Sequence, residues 1–180
     1  MSVERSRSSV IAMTGLVAAA LGVAMGAVWW WVAPTEQWVV VEGGLAPADP
    51  GYTGWFSADG WFLVLGAVAG VLLTAITWQR GRGRPVTLVA GVVVGAGLVS
   101  LVAWAVGGFL GAPDPQTAAE TAEAGTTVAG SLGIRATAVL LAPALTALTV
   151  LALMLASARI DDEGAESRHD AGVGVPQQTW

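Results

Sequence analysis

Four long stretches of the sequence contain no Asp, Glu, Lys, Arg or His: residues 8–35, 60–79, 85–113 and 136–158. The charged residues lie between these stretches and at the two ends. About 20 helical residues, rising about 1.5 Å each, cross the ~30 Å hydrocarbon core of a bilayer, so each stretch is long enough to span it. The pattern predicts an all-α integral membrane protein with four transmembrane helices in a bundle.

The charge-free stretches also predict the organisation of the chain. We expect one membrane domain, residues 9–158, with spans at about 10–33, 60–79, 86–110 and 136–158, loops 34–59 and 111–135 on one face, and a linker at 80–85 on the other. Residues 1–8 form a short N-terminal tail. The tail at 159–180 is acidic and rich in small residues, so we expect it to be disordered.

The first span resembles a signal peptide at its start, because Arg5 and Arg7 precede an apolar run. Signal peptides have an apolar region of roughly 7 to 15 residues followed by a cleavage site, whereas this run continues through Trp31. We therefore expect an uncleaved anchor.

The arginines are distributed unequally between the two predicted faces. Seven of the eight lie in the tails or the 80–85 linker, namely Arg5, Arg7, Arg80, Arg82, Arg84, Arg159 and Arg168. The loops 34–59 and 111–135 hold Arg135 and seven acids. Because basic segments stay on the cytoplasmic side, we predict a multi-pass protein of the plasma membrane with both termini in the cytoplasm.

Composition excludes several classes of function. The chain contains no Cys and no Lys, so thiolate chemistry and a Lys-dependent phosphate loop are excluded, and its only His, His169, lies in the tail. Spans without ionisable residues argue against a proton-coupled carrier. We expect a protein that is not an enzyme, has no cofactor or metal, does not bind nucleic acid, and contacts the lipid bilayer.

The candidate interaction residues lie near the predicted membrane surfaces. Glu36, Glu42 and Asp59 are close enough in the predicted topology to meet Arg135, and paired carboxylates can act as acid and base in glycoside hydrolysis. The favoured interpretation is structural: Asp59 caps the N-terminus of span 2, and Arg135 marks the start of span 4.

Tryptophans cluster around the predicted outer surface. Trp29, Trp30 and Trp31 end span 1, Trp55 and Trp61 flank the start of span 2, and Trp104 lies near the end of span 3. Tryptophan prefers the headgroup region, so interfacial anchoring is favoured over a surface for lipid or glycan contact. At the opposite surface, Arg80, Arg82 and Arg84 either fix the topology or also hold anionic headgroups.

Small residues and turn signals predict further details. Pairs four residues apart, such as Gly22 with Gly26 and Gly66 with Gly70, favour close helix packing, either within the bundle or in a homo-oligomer.

Pro143 should kink or loosen a turn of span 4. Residues 37–44 predict a small β-hairpin, and residues 116–124 a brief surface helix.

Trp30-Trp31-Val32-Ala33-Pro34, Ala58-Asp59-Gly60 before span 2, and Arg80-Gly-Arg-Gly-Arg-Pro85 together resemble an actinobacterial family of four-span membrane proteins of unknown function. The resemblance implies the topology and the plasma membrane, but no activity. Two functional hypotheses stay open. One is a non-enzymatic scaffold or modulator of a cell-envelope assembly, and the other is a component of an oligomeric or partner-dependent transporter.

Overall fold

A computed structural model describes residues 2–49, 54–81 and 85–173, with side chains described for residues 13–49, 57–79 and 86–158. The long helices are α1 (Ser2–Val32), α2 (Gly54–Gly81), α3 (Pro85–Leu110) and α5 (Ala142–Val173). Four segments are long and apolar enough to cross a membrane, as the charge-free stretches predicted: Met13–Val32 in α1, Ser57–Gln79 in α2, Val86–Ala119, which begins in α3, and Thr137–Ala158, which begins before α5 and continues into it. The short elements are β1 (Gln37–Val41), β2 (Gly44–Pro47), α4 (Pro115–Ala119), β3 (Thr127–Ala129) and a 3-10 helix at Thr137–Leu141.

Helix α1 packs most extensively on α3, and glycines on α1 make this approach close. A Cβ added at Gly22 would lie 2.9 Å from the Val99 carbonyl oxygen, and one added at Gly26 would lie 2.6 Å from the Ala103 carbonyl oxygen. Neither position has room for a side chain. The predicted packing within the bundle is therefore confirmed at this pair of helices.

Helix α2 packs on α5 in the same manner, and Pro143 lies at the contact. Cβ atoms at Gly66 and Gly70 would meet the Pro143 ring at 3.0 Å and the Pro143 carbonyl oxygen at 2.5 Å. Pro143 is the second residue of α5, directly after the 3-10 helix. The predicted position of Pro143 inside a helix was therefore wrong: span 4 is divided into a 3-10 helix and α5, and Pro143 fits the first turn of α5 without kinking or loosening its interior.

A three-stranded antiparallel sheet, ordered β2-β1-β3, lies at the end of the bundle where α1 ends and α2 begins. The predicted hairpin is confirmed: Val41 pairs with Gly44, and the turn residue Gly43 has φ of +92°, which favours glycine. Strand β3, which pairs Val128 with Trp38, was not predicted. We call β1, β2, β3 and α4 together the cap.

Several predicted boundaries were wrong. Helix α1 begins at Ser2 rather than after an N-terminal tail, and α4 ends at Ala119 rather than near residue 124. Helix α5 continues to Val173, so the tail is helical over residues 159–173 and not disordered there. Its Ala, Arg and Glu residues have high helix propensity, and they extend a helix already started in the apolar segment. Residues 174–180 lie outside the described residues.

Candidate functional site

The cap is joined to the bundle by an ion pair between Glu36 and Arg135. Glu36 ends the connection from α1 to β1, and Arg135 precedes the 3-10 helix. Nη2 of Arg135 donates to both carboxylate oxygens of Glu36, at 3.0 Å and 2.9 Å. The Arg135 side chain is 58% exposed and that of Glu36 21% exposed, so the pair lies at the surface and water screens it. Its main role is therefore to position the two connecting segments.

Asp59 lies beside this pair but does not cap α2, contrary to the prediction. Helix α2 begins at Gly54, which places Asp59 in its second turn, where it is only 5% exposed. Its two oxygens instead accept hydrogen bonds from the backbone N–H groups of Arg135, at 3.3 Å, and Ala136, at 2.9 Å. The Asp59 carboxylate on α2 therefore fixes the two residues that lead into the 3-10 helix, and it lies near the positive end of that helix's dipole.

Trp29 holds α1 to α2 just beneath Asp59. Its ring is fully buried and meets Phe62 edge to face, with centroids 5.1 Å apart and planes at 83°. Its indole N–H donates to the Ala58 carbonyl oxygen at 2.8 Å. The prediction that Trp29 belongs to an interfacial belt was wrong. Gly107 on α3 leaves room for the ring, because a Cβ there would clash with Trp29; no local pattern in the sequence separates Trp29 from Trp30 and Trp31.

The other tryptophans near this end are more accessible. Trp30, Trp61 and Trp104 are roughly half exposed, and Trp31 is 80% exposed. Trp61, predicted as an interaction candidate, lies on α2 two residues after Asp59. These four side chains have the partial exposure expected of residues at a membrane surface.

The remaining predicted residues do not join Glu36, Asp59 and Arg135. Glu42 is exposed in the turn between β1 and β2, at the opposite end of β1 from Glu36. The Arg80 side chain, Arg82 and Arg84 lie outside the described residues. The structure therefore brings together three of the four residues considered for an acid and base site.

The contacts of the two carboxylates decide what this cluster can do chemically. Both oxygens of Glu36 accept bonds from Arg135, and both oxygens of Asp59 accept bonds from backbone N–H groups. An acid and base pair needs oxygens directed at a substrate. The arrangement is thus that of a structural clasp, and over the described residues no group of three or more His, Cys, Asp or Glu side chains is placed to hold a metal ion.

A groove of about 560 Å³ opens in the cap, between the sheet and α4. Trp38, Val40 and Leu45 form its apolar floor, and Asp114, Gln116 and Glu120 form its polar rim. Trp38 and Val40 share one face of β1 because side chains alternate along a strand, and Leu45 is the cross-strand partner of Val40. Asp114 accepts a bond from the Gln116 N–H at 3.0 Å and so caps α4. The groove was not predicted, because it requires α4, from one loop, to lie against β1 and β2, from the other.

The polar groups inside the bundle are engaged with backbone carbonyls. The Thr74 hydroxyl lies 2.9 Å from the Gly70 oxygen on its own helix and 3.1 Å from the Ala147 oxygen on α5. The Ser100 hydroxyl lies 2.7 Å from the Leu140 oxygen. Leu140 O would take a bond from residue 143 if the 3-10 turn continued, and Pro143 has no N–H to give. Among the described side chains, no buried polar atom lacks a partner.

Comparison with known proteins gives no relative on which a function could be based. No family model, curated protein or solved structure matches the chain. The resemblance to an actinobacterial four-span family therefore stays a prediction.

Proposed function

We propose that this chain is a multi-pass plasma-membrane protein with both termini in the cytoplasm, and that it serves as a non-enzymatic scaffold or modulator of a cell-envelope assembly. The observation that carries the proposal is the attachment of the cap. Glu36, Asp59 and Arg135 join the cap's connections to the ends of the helices, so the cap is a folded surface held in one orientation on the bundle.

Charge supports placing the cap outside the cell. The segments at the cap end contain seven acids and one arginine, whereas the opposite end has seven of the eight arginines. Basic segments are retained in the cytoplasm, so the acidic cap is the part that is exported. An exported folded cap is accessible to proteins of the envelope, and loops held by a rigid scaffold commonly carry recognition.

The alternative, a transport component, is less well supported by the helices. The apolar stretches contain no ionisable residue, and the buried Thr74 and Ser100 hydroxyls are engaged with carbonyls. A coupled carrier usually places an ionisable group on its path. Transport would then require a second copy or a partner to supply the path.

Site-specific photo-crosslinking in cells tests the proposal. A crosslinking residue replaces Thr127, which is exposed on β3 of the cap and outside the groove lining, or Val94, which is exposed on the apolar surface of α3. We expect a discrete protein adduct from position 127 and lipid-dominated products from position 94. Adducts confined to position 94, or pH-gradient-driven flux by the purified chain in liposomes, would contradict the scaffold and favour the transport alternative.

The orientation has a separate test. A reporter active only outside the cytoplasm should work when inserted in the Glu42–Gly43 turn and fail at either terminus. Replacing Arg80, Arg82 and Arg84 with Gln should produce mixed orientations in accessibility labelling. Activity at a terminus would reverse the topology, and unchanged labelling would show that the linker arginines do not determine it.

A further inference from the structure

The groove of the cap combines apolar and acidic residues, and this combination determines which ligands it can bind. Its floor is apolar, and its rim contains two acids, Asp114 and Glu120, while the described residues that line it include no Lys, Arg or His. The groove therefore suits a ligand with apolar groups flanking a positive charge.

The backbone of β2 adds a second recognition element beside the groove. The Ala48 N–H donates to the Gln37 oxygen at 3.0 Å, and Val39 lies opposite Ala46. Antiparallel strands alternate bonded and non-bonded pairs, so Leu45, opposite Val40, belongs to a non-bonded pair. The N–H and C=O of Leu45 therefore point away from β1, toward the edge where no described strand pairs with β2.

Pro47 limits how far a neighbouring strand can extend along this edge. It belongs to the next non-bonded pair, opposite Trp38, and it offers a carbonyl but no N–H. The edge can thus accept a short segment centred on Leu45, whose side chain also lines the groove. Proline on an edge strand is a common protection against uncontrolled strand pairing.

We propose that the cap binds a short extended peptide segment of a partner protein, in which the residues on one face are an apolar residue, a Lys or Arg, and a second apolar residue, each two positions apart. The segment adds to the edge of β2 through Leu45, directs its two apolar side chains to the groove floor of Trp38 and Val40, and directs the basic side chain between them to Asp114 and Glu120. This inference rests on the proposed function, since it names the site and the partner chemistry.

The test uses the full chain in nanodiscs of zwitterionic phosphatidylcholine, which do not attract cationic peptides. The probe is a fluorescent pentapeptide, Val-Thr-Lys-Thr-Val, whose two valines and lysine share one face when extended, and its anisotropy reports binding. The control peptide has glutamate in place of the lysine. We expect the lysine peptide to bind and the glutamate peptide to bind at least tenfold more weakly.

Matched variants assign the contacts. Asp114→Asn with Glu120→Gln should weaken binding about three- to tenfold, because the rim charges are lost while Asn can still cap α4. Glu123→Gln removes an exposed acid outside the groove and should leave binding unchanged. Leu45→Pro removes the N–H at the edge, a group that β1 does not use, and should weaken binding more than Leu45→Ala.

Four results would overturn the proposal: equal binding of the two peptides, no loss in the Asp114→Asn, Glu120→Gln variant, equal effects of Leu45→Pro and Leu45→Ala, or equal competition by free lysine amide. If crosslinking from Thr127 to an envelope protein persisted alongside any of these results, the scaffold would stand and only the groove would be wrong.

Discussion

The contacts between the helices of the bundle differ in kind from the contacts that attach the cap to the bundle. In the bundle, helices meet where side chains are absent, as at Gly26, where an added Cβ would lie 2.6 Å from the Ala103 oxygen. Where the cap joins the bundle, segments meet through charged groups: Glu36 binds the Arg135 side chain, and Asp59 binds its backbone N–H. One region depends on the shape of the backbone and the other on hydrogen bonds to carboxylates.

The difference follows from the solvent proposed for each region. In hydrocarbon no hydrophobic effect drives apolar helices together, so van der Waals contact between closely packed backbones becomes the main attraction. At the membrane surface, water lowers the cost of carrying a charge, and carboxylates can organise connecting segments. The two regions should therefore respond differently to added methyl groups, to lost hydrogen bonds and to salt.

The largest effect should come from Gly26→Ala in the bundle. The new methyl group has no room against Ala103 and Val106, and overpacking of this kind typically costs about 1 to 3 kcal/mol. Gly15→Ala is the control, since nothing lies within 4 Å of its Cβ position, and it should be neutral or slightly stabilising. Unfolding by SDS in mixed micelles measures both. Equal stabilities would show that the α1 and α3 backbones do not depend on this contact.

The spans were predictable because their signal is local. A run of about 20 apolar residues specifies a helix of membrane length whatever its neighbours do. The hairpin at Val41 and Gly44 was predictable for the same reason, since its turn residues lie beside its strands.

The candidate site was less predictable because its contacts join residues far apart in sequence. Asp59 bonds to Arg135 and Ala136 across more than 70 residues, yet an Asp beside a predicted helix start suggests a local cap. Trp29 resembles its neighbours Trp30 and Trp31, and only Phe62 and Gly107 distinguish its environment. Strand β3 is three residues long and gains its conformation from pairing with β1.

The next largest effect should come from Asp59, the buried residue of α2 that binds the backbone before the 3-10 helix. Asp59→Ala leaves the N–H groups of Arg135 and Ala136 without their acceptor and should cost about 2 kcal/mol. Asp59→Asn keeps one of the two acceptor oxygens, so we expect a loss of stability between those of wild type and Asp59→Ala. The same SDS unfolding experiment ranks the variants. If Asn were as damaging as Ala, the negative charge of Asp59 rather than its capping geometry would be responsible.

A smaller effect should follow from Ser100→Ala in the bundle. The Leu140 oxygen would lose the hydroxyl that takes the place of the N–H missing at Pro143, at a cost of about 0.5 to 1.5 kcal/mol. Ser157→Ala is the matched control, because Ser157 is exposed and bonds only to the Leu153 oxygen of its own helix. A loss no greater than that of Ser157→Ala would mean that the Leu140 carbonyl is satisfied in another way.

The smallest effect should come from the ion pair, although it is the most conspicuous contact of the cap. Glu36→Gln removes a bidentate partner of Arg135, but Arg135 is 58% exposed, and exposed pairs are typically worth about 0.2 to 1 kcal/mol.

The salt dependence of stability shows how much of the Glu36–Arg135 contribution is due to charge. At 1 M salt the Debye length is about 3 Å, so the difference between wild type and Glu36→Gln should almost vanish. The losses at Gly26 and Ser100 should persist, because neither involves a charge. Glu42→Gln, in the exposed turn of the same sheet, controls for the lost charge alone. A loss at Glu36 above about 2 kcal/mol that survives high salt would mean that the clasp is shielded from water, as the bundle is.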